Sequence, residues 1–278
     1  SLSVNASAGA VTLTNAANAV DSLAVANGDR SVSFTDKSAL VINGISAGPV
    51  NLVIGDKLSQ TAPINSTQLS IASTAAQNGG VLLNTAINNV ESLFVNNPGR
   101  RVIFTEANDL VVAGITAGPT TLTVGGKLSQ TGPINCSQLV ITSTAVQNGG
   151  VLLNTSPNDV DSLAVTNPGR RVMFTDIDDL ALAGITADGI TLDVGAPLTQ
   201  TAPVIGGLLT ITTRNRGIQL TNPANDLSSL LVNNATRTLN FTDRNDLVVA
   251  GITAGPITIN VGGNCLLYTS PSPRDQRG

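Results

Sequence analysis

Short runs of alternating apolar and polar residues follow one another along the whole chain. In "VSFT", Val32 and Phe34 fall on one side while Ser33 and Thr35 fall on the other. "VTLT" at Val11–Thr14 and "LSI" at Leu69–Ile71 show the same alternation. A period of two over four or five residues marks a half-buried β-strand. Such runs begin near Val11, Leu23, Val32, Leu40, Val50, Leu58 and Leu69, and the cycle restarts at Val81. Between them stand "NGG" (Asn78–Gly80, Asn148–Gly150), "NPG" (Asn97–Gly99, Asn167–Gly169) and "AGP" (Ala47–Pro49). These turn residues supply positive φ or a fixed proline φ. No window carries a capped helical stripe. "NNVESLFVNN" comes nearest, with Val90, Leu93, Phe94 and Val95 apolar, but its equivalents "NAVDSLAVAN" and "NDVDSLAVTN" favour a corner leading into a short strand.

The runs recur at long range. "FTDKSALVINGISAGP" from Phe34 returns as "FTEANDLVVAGITAGP" from Phe104, "FTDIDDLALAGITADG" from Phe174 and "FTDRNDLVVAGITAGP" from Phe241. The first two intervals are equal, at roughly 70 residues, and the last is slightly shorter. Leu23, Leu93, Leu163 and Leu230 keep the same spacing, as do Ile45, Ile115, Ile185 and Ile252. Strands in a sandwich occupy distinct edge and central places and so differ from one another. In a β-solenoid each turn must fit the next, so repetition is the expected signature. The pattern therefore predicts an all-β protein, a parallel β-helix (β-solenoid). It should comprise about four 70-residue units of three to four rungs each, near 11–80, 81–150, 151–217 and 218–264. At about 4.8 Å per rung, 12 to 15 rungs would make a rod of roughly 55–70 Å.

Composition agrees. The chain of 278 residues is 41% hydrophobic, 12% charged and 2% aromatic, too apolar for disorder and poor in charge for an ordinary enzyme. Net charge is −4 with no basic block, which gives no reason to bind nucleic acid. No apolar run reaches the length of a membrane span. His is absent, which removes Ser-His-Asp and Cys-His chemistry, and neither a phosphate-cradling GxxxxGK[ST] loop nor a CxxC pair occurs.

Carboxylates remain. "DIDD" at Asp176–Asp179 is the densest cluster, and paired acids can hydrolyse glycosides or hold Ca²⁺. Of its acids only the first recurs, as Asp36, Glu106, Asp176 and Asp243, and the expectation for it is a solvated corner after "FT". Arg100–Arg101 and Arg170–Arg171 follow the NPG turns, either as solvated residues covering apolar surface with their stems or as a dock for an acidic glycan. Asn18, Asn88, Asn158 and Asn225 recur one unit apart, too far for an asparagine ladder. The Asn-x-Ser/Thr triplets at Asn65, Asn154 and Asn234 are expected by chance in this composition. Phe34, Phe104, Phe174 and Phe241 should point inward and Phe94 should sit among aliphatics, leaving no ring as a sugar platform. Thr-x-Thr pairs at Thr12 and Thr121 are similar to those of ice-binding solenoids but do not recur on every rung of the sequence pattern. Cys136 stands where the preceding copy has Ser66, so it is expected to be inert, and Cys136→Ser to leave folding unchanged. No catalytic, cofactor or metal residue is assigned.

The stretch "GAVTLTNAANAVDSLAV", with "SVSFTDKSALVINGISAGPVNLVIGDKLSQTAPI" after it, resembles the repeats of large filamentous-haemagglutinin-like adhesins of Gram-negative bacteria. The resemblance covers Ala8–Gly263. It implies a right-handed parallel β-helix, export by an outer-membrane secretion partner or a fused barrel, an extracellular cell-surface location, and roles in adhesion and aggregation through a surface receptor or glycan. The rival expectation is a β-helix carbohydrate-active enzyme or a tailspike-like polysaccharide-binding protein. The end of the chain, 265–278, matches nothing upstream. Over Cys265–Asp275, "CLLYTSPSPRD" resembles the translation of a transposase adapter used in sequencing libraries. Residues 1–264 are thus expected to be a single solenoid fragment, and the tail an unrelated, disordered addition.

Overall fold

The computed structural model describes residues 1–6, 8–74, 79–144, 149–214, 216–234 and 237–267. Among them the protein is all β and free of helix, its parallel strands stacked as a β-solenoid of about 13 turns. At about 4.8 Å per turn this is a rod of roughly 60 Å. The stretch read as a possible helix lies within the strand Val81–Asn97.

Each turn presents two inward-alternating runs, separate strands in the first turns and merged into one continuous strand in Leu58–Ser73 or Leu180–Val194, and each run pairs with the one directly above it. Val11–Leu13 pairs with Val32–Asp36, which pairs with Pro49–Ile54. Ser22–Ala26 pairs with Leu40–Ser46, which pairs with the start of Leu58–Ser73. Two parallel stacks result, enclosing one continuous core of Val, Leu, Ile and Phe. One stack runs through Leu40, Leu58, Val81, Val102, Thr120, Leu139, Leu163 and Leu182. The other runs through Val11, Val32, Val50, Leu69, Leu93 and Val112.

This geometry explains the long period. One unit holds seven alternating runs, an odd number, whereas a turn uses two. A unit is therefore three and a half turns, and successive copies swap stacks. Phe34 lies in the stack of Val32 and Val50, and Phe104 in the stack of Val102 and Thr120. Phe174 returns to the stack that Phe34 occupies, paired to Leu153 and Leu192. Each ring is fully buried between aliphatic neighbours of the turns above and below: Leu13 and Leu52 for Phe34, Leu83 and Leu122 for Phe104, Leu220 and Ile259 for Phe241. Adjacent turns bury each other's apolar faces at roughly 25 cal/mol per Å².

Turns require special backbone at few places. Gly99 and Gly169 of the NPG turns have φ of 68° and 70°, as their sequence predicts. Gly48 of "AGP" serves differently: its φ is not positive, but a Cβ there would overlap the Asp29 carbonyl of the turn below. Asn78 and Asn148 of the NGG turns lie outside the described residues. The strand Cys265–Leu267 pairs with Leu247–Val249 as the last rung described.

Candidate functional site

The recurring acids correct the sequence expectation. Asp36, Glu106, Asp176 and Asp243 are not solvated corners but are buried, each at most 2% exposed. The cause is the parity of the strand. In "VSFTD" the acid stands two residues after Phe34 and shares its inward face, giving Val32, Phe34 and Asp36 a common side. At the strand end each carboxylate gathers backbone N–H groups. Asp36 accepts from Val20 at 2.7 Å and Ser38 at 2.8 Å. Glu106 accepts from Val90 at 2.8 Å, Ala107 at 2.9 Å and Asn108 at 3.1 Å. Asp176 accepts from Val160 and Asp178 at 3.2 and 3.3 Å, and Asp243 from Leu227 and Asn245 at 2.9 and 3.0 Å. At the other three acids, burial still outweighs the donors. It raises Glu106 from 4.5 to about 7 and Asp176, with its longer bonds and Asp178 nearby, from 3.8 to about 8; Asp243 is raised as well.

The recurring asparagines belong to the same seam. Asn88 is wholly buried and accepts on Oδ1 from Gln60 Nε2 and Ile64 N–H, both at 2.9 Å. Its Nδ2 donates to Gln60 Oε1, Leu83 O and Thr105 O. Asn158 repeats this with Gln130, Ile134, Leu153 and Thr175, and Asn225 with Gln200, Val204, Leu220 and Thr242. An amide ladder does exist, then, but it joins Gln to Asn on adjacent turns rather than Asn to Asn. The next turn caps the seam with a glycine. Gly55, Gly125, Gly195 and Gly262 donate N–H to the carbonyls of Asp36, Glu106, Asp176 and Asp243 at 2.7 to 3.0 Å. A Cβ at Gly125 would run into the Ala107 carbonyl oxygen. Each full seam is therefore Gln, Asn, acid and Gly on four consecutive turns, joined from turn to turn by hydrogen bonds.

The remaining expectations divide. Asp178 and Asp179 of "DIDD" are exposed while Asp176 is inside, and among the described residues no three His, Cys, Asp or Glu side chains cluster as a metal site. Cys136 is buried at 3% exposure with its thiol pushed up to about 12, chiefly by burial, and the equivalent Ser66 hydroxyl is buried without a partner. Asn234 of the Asn-x-Ser/Thr triplets is buried, and its Nδ2 closes a turn on Thr238 O, as Asn97 does on Arg101 O. Phe94 departs from expectation. It points outward at 39% exposure and lies over Gly114, because "SLFV" places it opposite in parity to Leu93 and Val95. Threonine also stacks more than the sequence suggested. Thr105, Thr123, Thr142, Thr166 and Thr186 are successive register partners on five turns of one stack. Their column was hidden because the sequence separation between partners changes at every step.

Arg100, Arg101, Arg170 and Arg171 come together with Lys57 and Lys127 around two surface hollows, each over a leucine, Leu82 or Leu152. No described helix is long and apolar enough to cross a membrane. No curated protein and no solved structure matches the chain. Two successive stretches, residues 99–167 and 169–234, match the family described as "Repeats of unknown function (DUF5649)", and their frames start one unit apart, at Gly99 and Gly169.

Proposed function

We propose that the chain is a structural and adhesive rod of a secreted bacterial surface protein, working without catalysis. The observation that carries this reading is continuity: parallel register and core run through about 13 turns, while outward residues differ from copy to copy. Inward positions are held by the neighbour above and below. Outward positions face solvent, where a partner can reach them. Local pairing also suits a chain that emerges unfolded from an outer-membrane pore and folds rung by rung. In this reading the protein sits at the cell surface, holds a binding region at a distance and contacts a receptor or glycan with its sides.

Attachment of cells to beads coated with the purified chain tests the proposal. Saturable attachment, inhibited by soluble chain, is the expected result. Absence of attachment to any bacterial or host cell tried, together with release of reducing ends from a polysaccharide, would replace the rod with an enzyme.

A further inference from the structure

At one corner of the rod, the residues just ahead of the inward strand starts stack turn upon turn. Leu58, Val81 and Val102 are register partners, so Lys57, Gly80 and Arg101 occupy the same corner on three successive turns. Leu58 N–H donates to Gly80 O at 2.9 Å and Val81 N–H to Arg101 O at 3.0 Å. One unit later Leu128, Val151 and Val172 bring Lys127, Gly150 and Arg171 together in the same way. Each triplet frames a hollow, of about 380 Å³ over Leu82 in the first case and about 230 Å³ over Leu152 in the second. Arg100 and Arg170 complete their rims.

The fold does not need the cations of the triplets, Lys57, Arg101, Lys127 and Arg171, whereas Arg30, Arg100, Arg170 and Arg237 recur in every copy. The third copy keeps the same strand pairing, Leu198 to Ile218 to Leu239, with Pro197, Gly217 and Thr238 at the corner. The first copy has Ala10 and Ser31 there. Nor does the backbone demand the central glycines. Neither Gly80 nor Gly150 has positive φ, and a Cβ would meet nothing closer than 3.6 Å at Gly80 or 3.4 Å at Gly150. Their effect is to leave a bare gap between two cations about two rungs, roughly 10 Å, apart. Six of the chain's 14 basic residues converge on the two hollows, although the net charge is −4. The nearest carboxylates along the chain and the stack are Asp56 at the first hollow and, at the second, Asp109, which accepts the Lys127 N–H, and Asp188, whose neighbour Gly189 is the register partner of Arg171. Each hollow keeps a positive surplus.

We propose that each hollow binds a carboxylate-bearing sugar of an acidic polysaccharide. Guanidinium groups match a carboxylate's two oxygens, and the leucine beneath offers apolar contact to the ring's C–H face. No aromatic side chain lines either hollow, so nothing there stacks a nucleobase. Copies alternate between stacks, so the two hollows lie on opposite edges, about 17 Å apart along the axis, and form no continuous stripe for a phosphate backbone. One rod then grips two polysaccharide strands at once. This deepens the adhesive reading and rests on it for where the polysaccharide is found.

Calorimetric titration of the purified chain with oligogalacturonate at low salt tests the proposal. Two sites per chain are expected, weakening as salt rises, with no binding of neutral dextran. Lys57→Ala with Arg101→Ala should leave one site. Adding Lys127→Ala and Arg171→Ala should lower affinity at least tenfold, and all four residues are exposed, so the fold is kept. Gly80→Leu with Gly150→Leu should produce the same loss with every charge in place. Absence of saturable binding, binding unchanged in the fourfold variant, or equal affinity for an oligonucleotide of matching charge would overturn the proposal. Cell attachment of coated beads that survives the fourfold variant would overturn the hollows alone and leave the adhesive rod standing.

Discussion

Truncation of a seam asparagine measures how much the buried polar column holds. Asn158→Ala removes a wholly buried amide that accepts from Gln130 and Ile134 and donates to Gln130, Leu153 and Thr175. Three of these partners are backbone groups shielded from water. A net bond is worth about 1 kcal/mol, and an orphaned buried group costs about 1–3 kcal/mol. The Gln130 contact at 3.3 Å adds little. A total of roughly 4 kcal/mol follows. Asn18 occupies the equivalent place in the first copy but is half-exposed and donates only to Leu13 O and Thr35 O, so Asn18→Ala should cost about 1 kcal/mol. Hydrogen exchange reads the difference locally, which suits a repeat array whose unfolding is not two-state. Protection of the Ile134 amide should fall about a thousandfold in Asn158→Ala, since about 1.4 kcal/mol is tenfold. The reasoning fails if the two variants lose the same stability, or if Ile134 stays protected.

Acid pH should stabilise the rod. Glu106 and Asp176 titrate near 7 and 8 when folded, above their ordinary values of 4.5 and 3.8. Raised folded values mean that their contribution is complete below about pH 4 and is lost as pH rises through 7 to 8. The melting temperature should fall between pH 5 and pH 9, and Glu106→Gln with Asp176→Asn should flatten that slope; a rise across the window would contradict the burial argument. Gly125→Ala should cost more than about 2 kcal/mol because its Cβ would overlap the Ala107 carbonyl, whereas Gly99→Ala, with φ of 68° and open space, should cost about 1 kcal/mol. Equal melting shifts would refute the close-approach reading. Cys136→Ser should fold and lose about 1 kcal/mol, since Ser66 already carries an unpartnered buried hydroxyl in that place; thermal melting checks it.

The strands, turns and aliphatic core were legible because inward parity repeats within every short run and Phe34 recurs as Phe104, Phe174 and Phe241. Rung register was not. Phe34, Leu52, Ile71 and Val95 are successive partners, yet each step along the chain is longer than the one before, so no fixed interval reveals which side chains stack. That variability concealed the threonine column and the pairing of Gln60 with Asn88. The buried acids were legible in principle, since Asp36 shares the parity of Phe34. Charge argued for exposure, and only the backbone donors at the strand end make the inward place tolerable. Phe94 shows the converse: hydrophobicity argued for burial and parity decided against it.

The central claim is a coil with two alternating runs per turn, in which residues far apart in sequence stand a few rungs apart on one side. Spin labels on Thr105→Cys and Thr186→Cys, in a Cys265→Ser background with Cys136 left buried, test this by pulsed electron–electron distance measurement. The two positions are four rung steps apart on one stack. A single distance of about 20 Å, broadened by the tethers, is therefore expected. A distance beyond about 40 Å, twice what the rung spacing allows, or a spread without a peak, would contradict the coil.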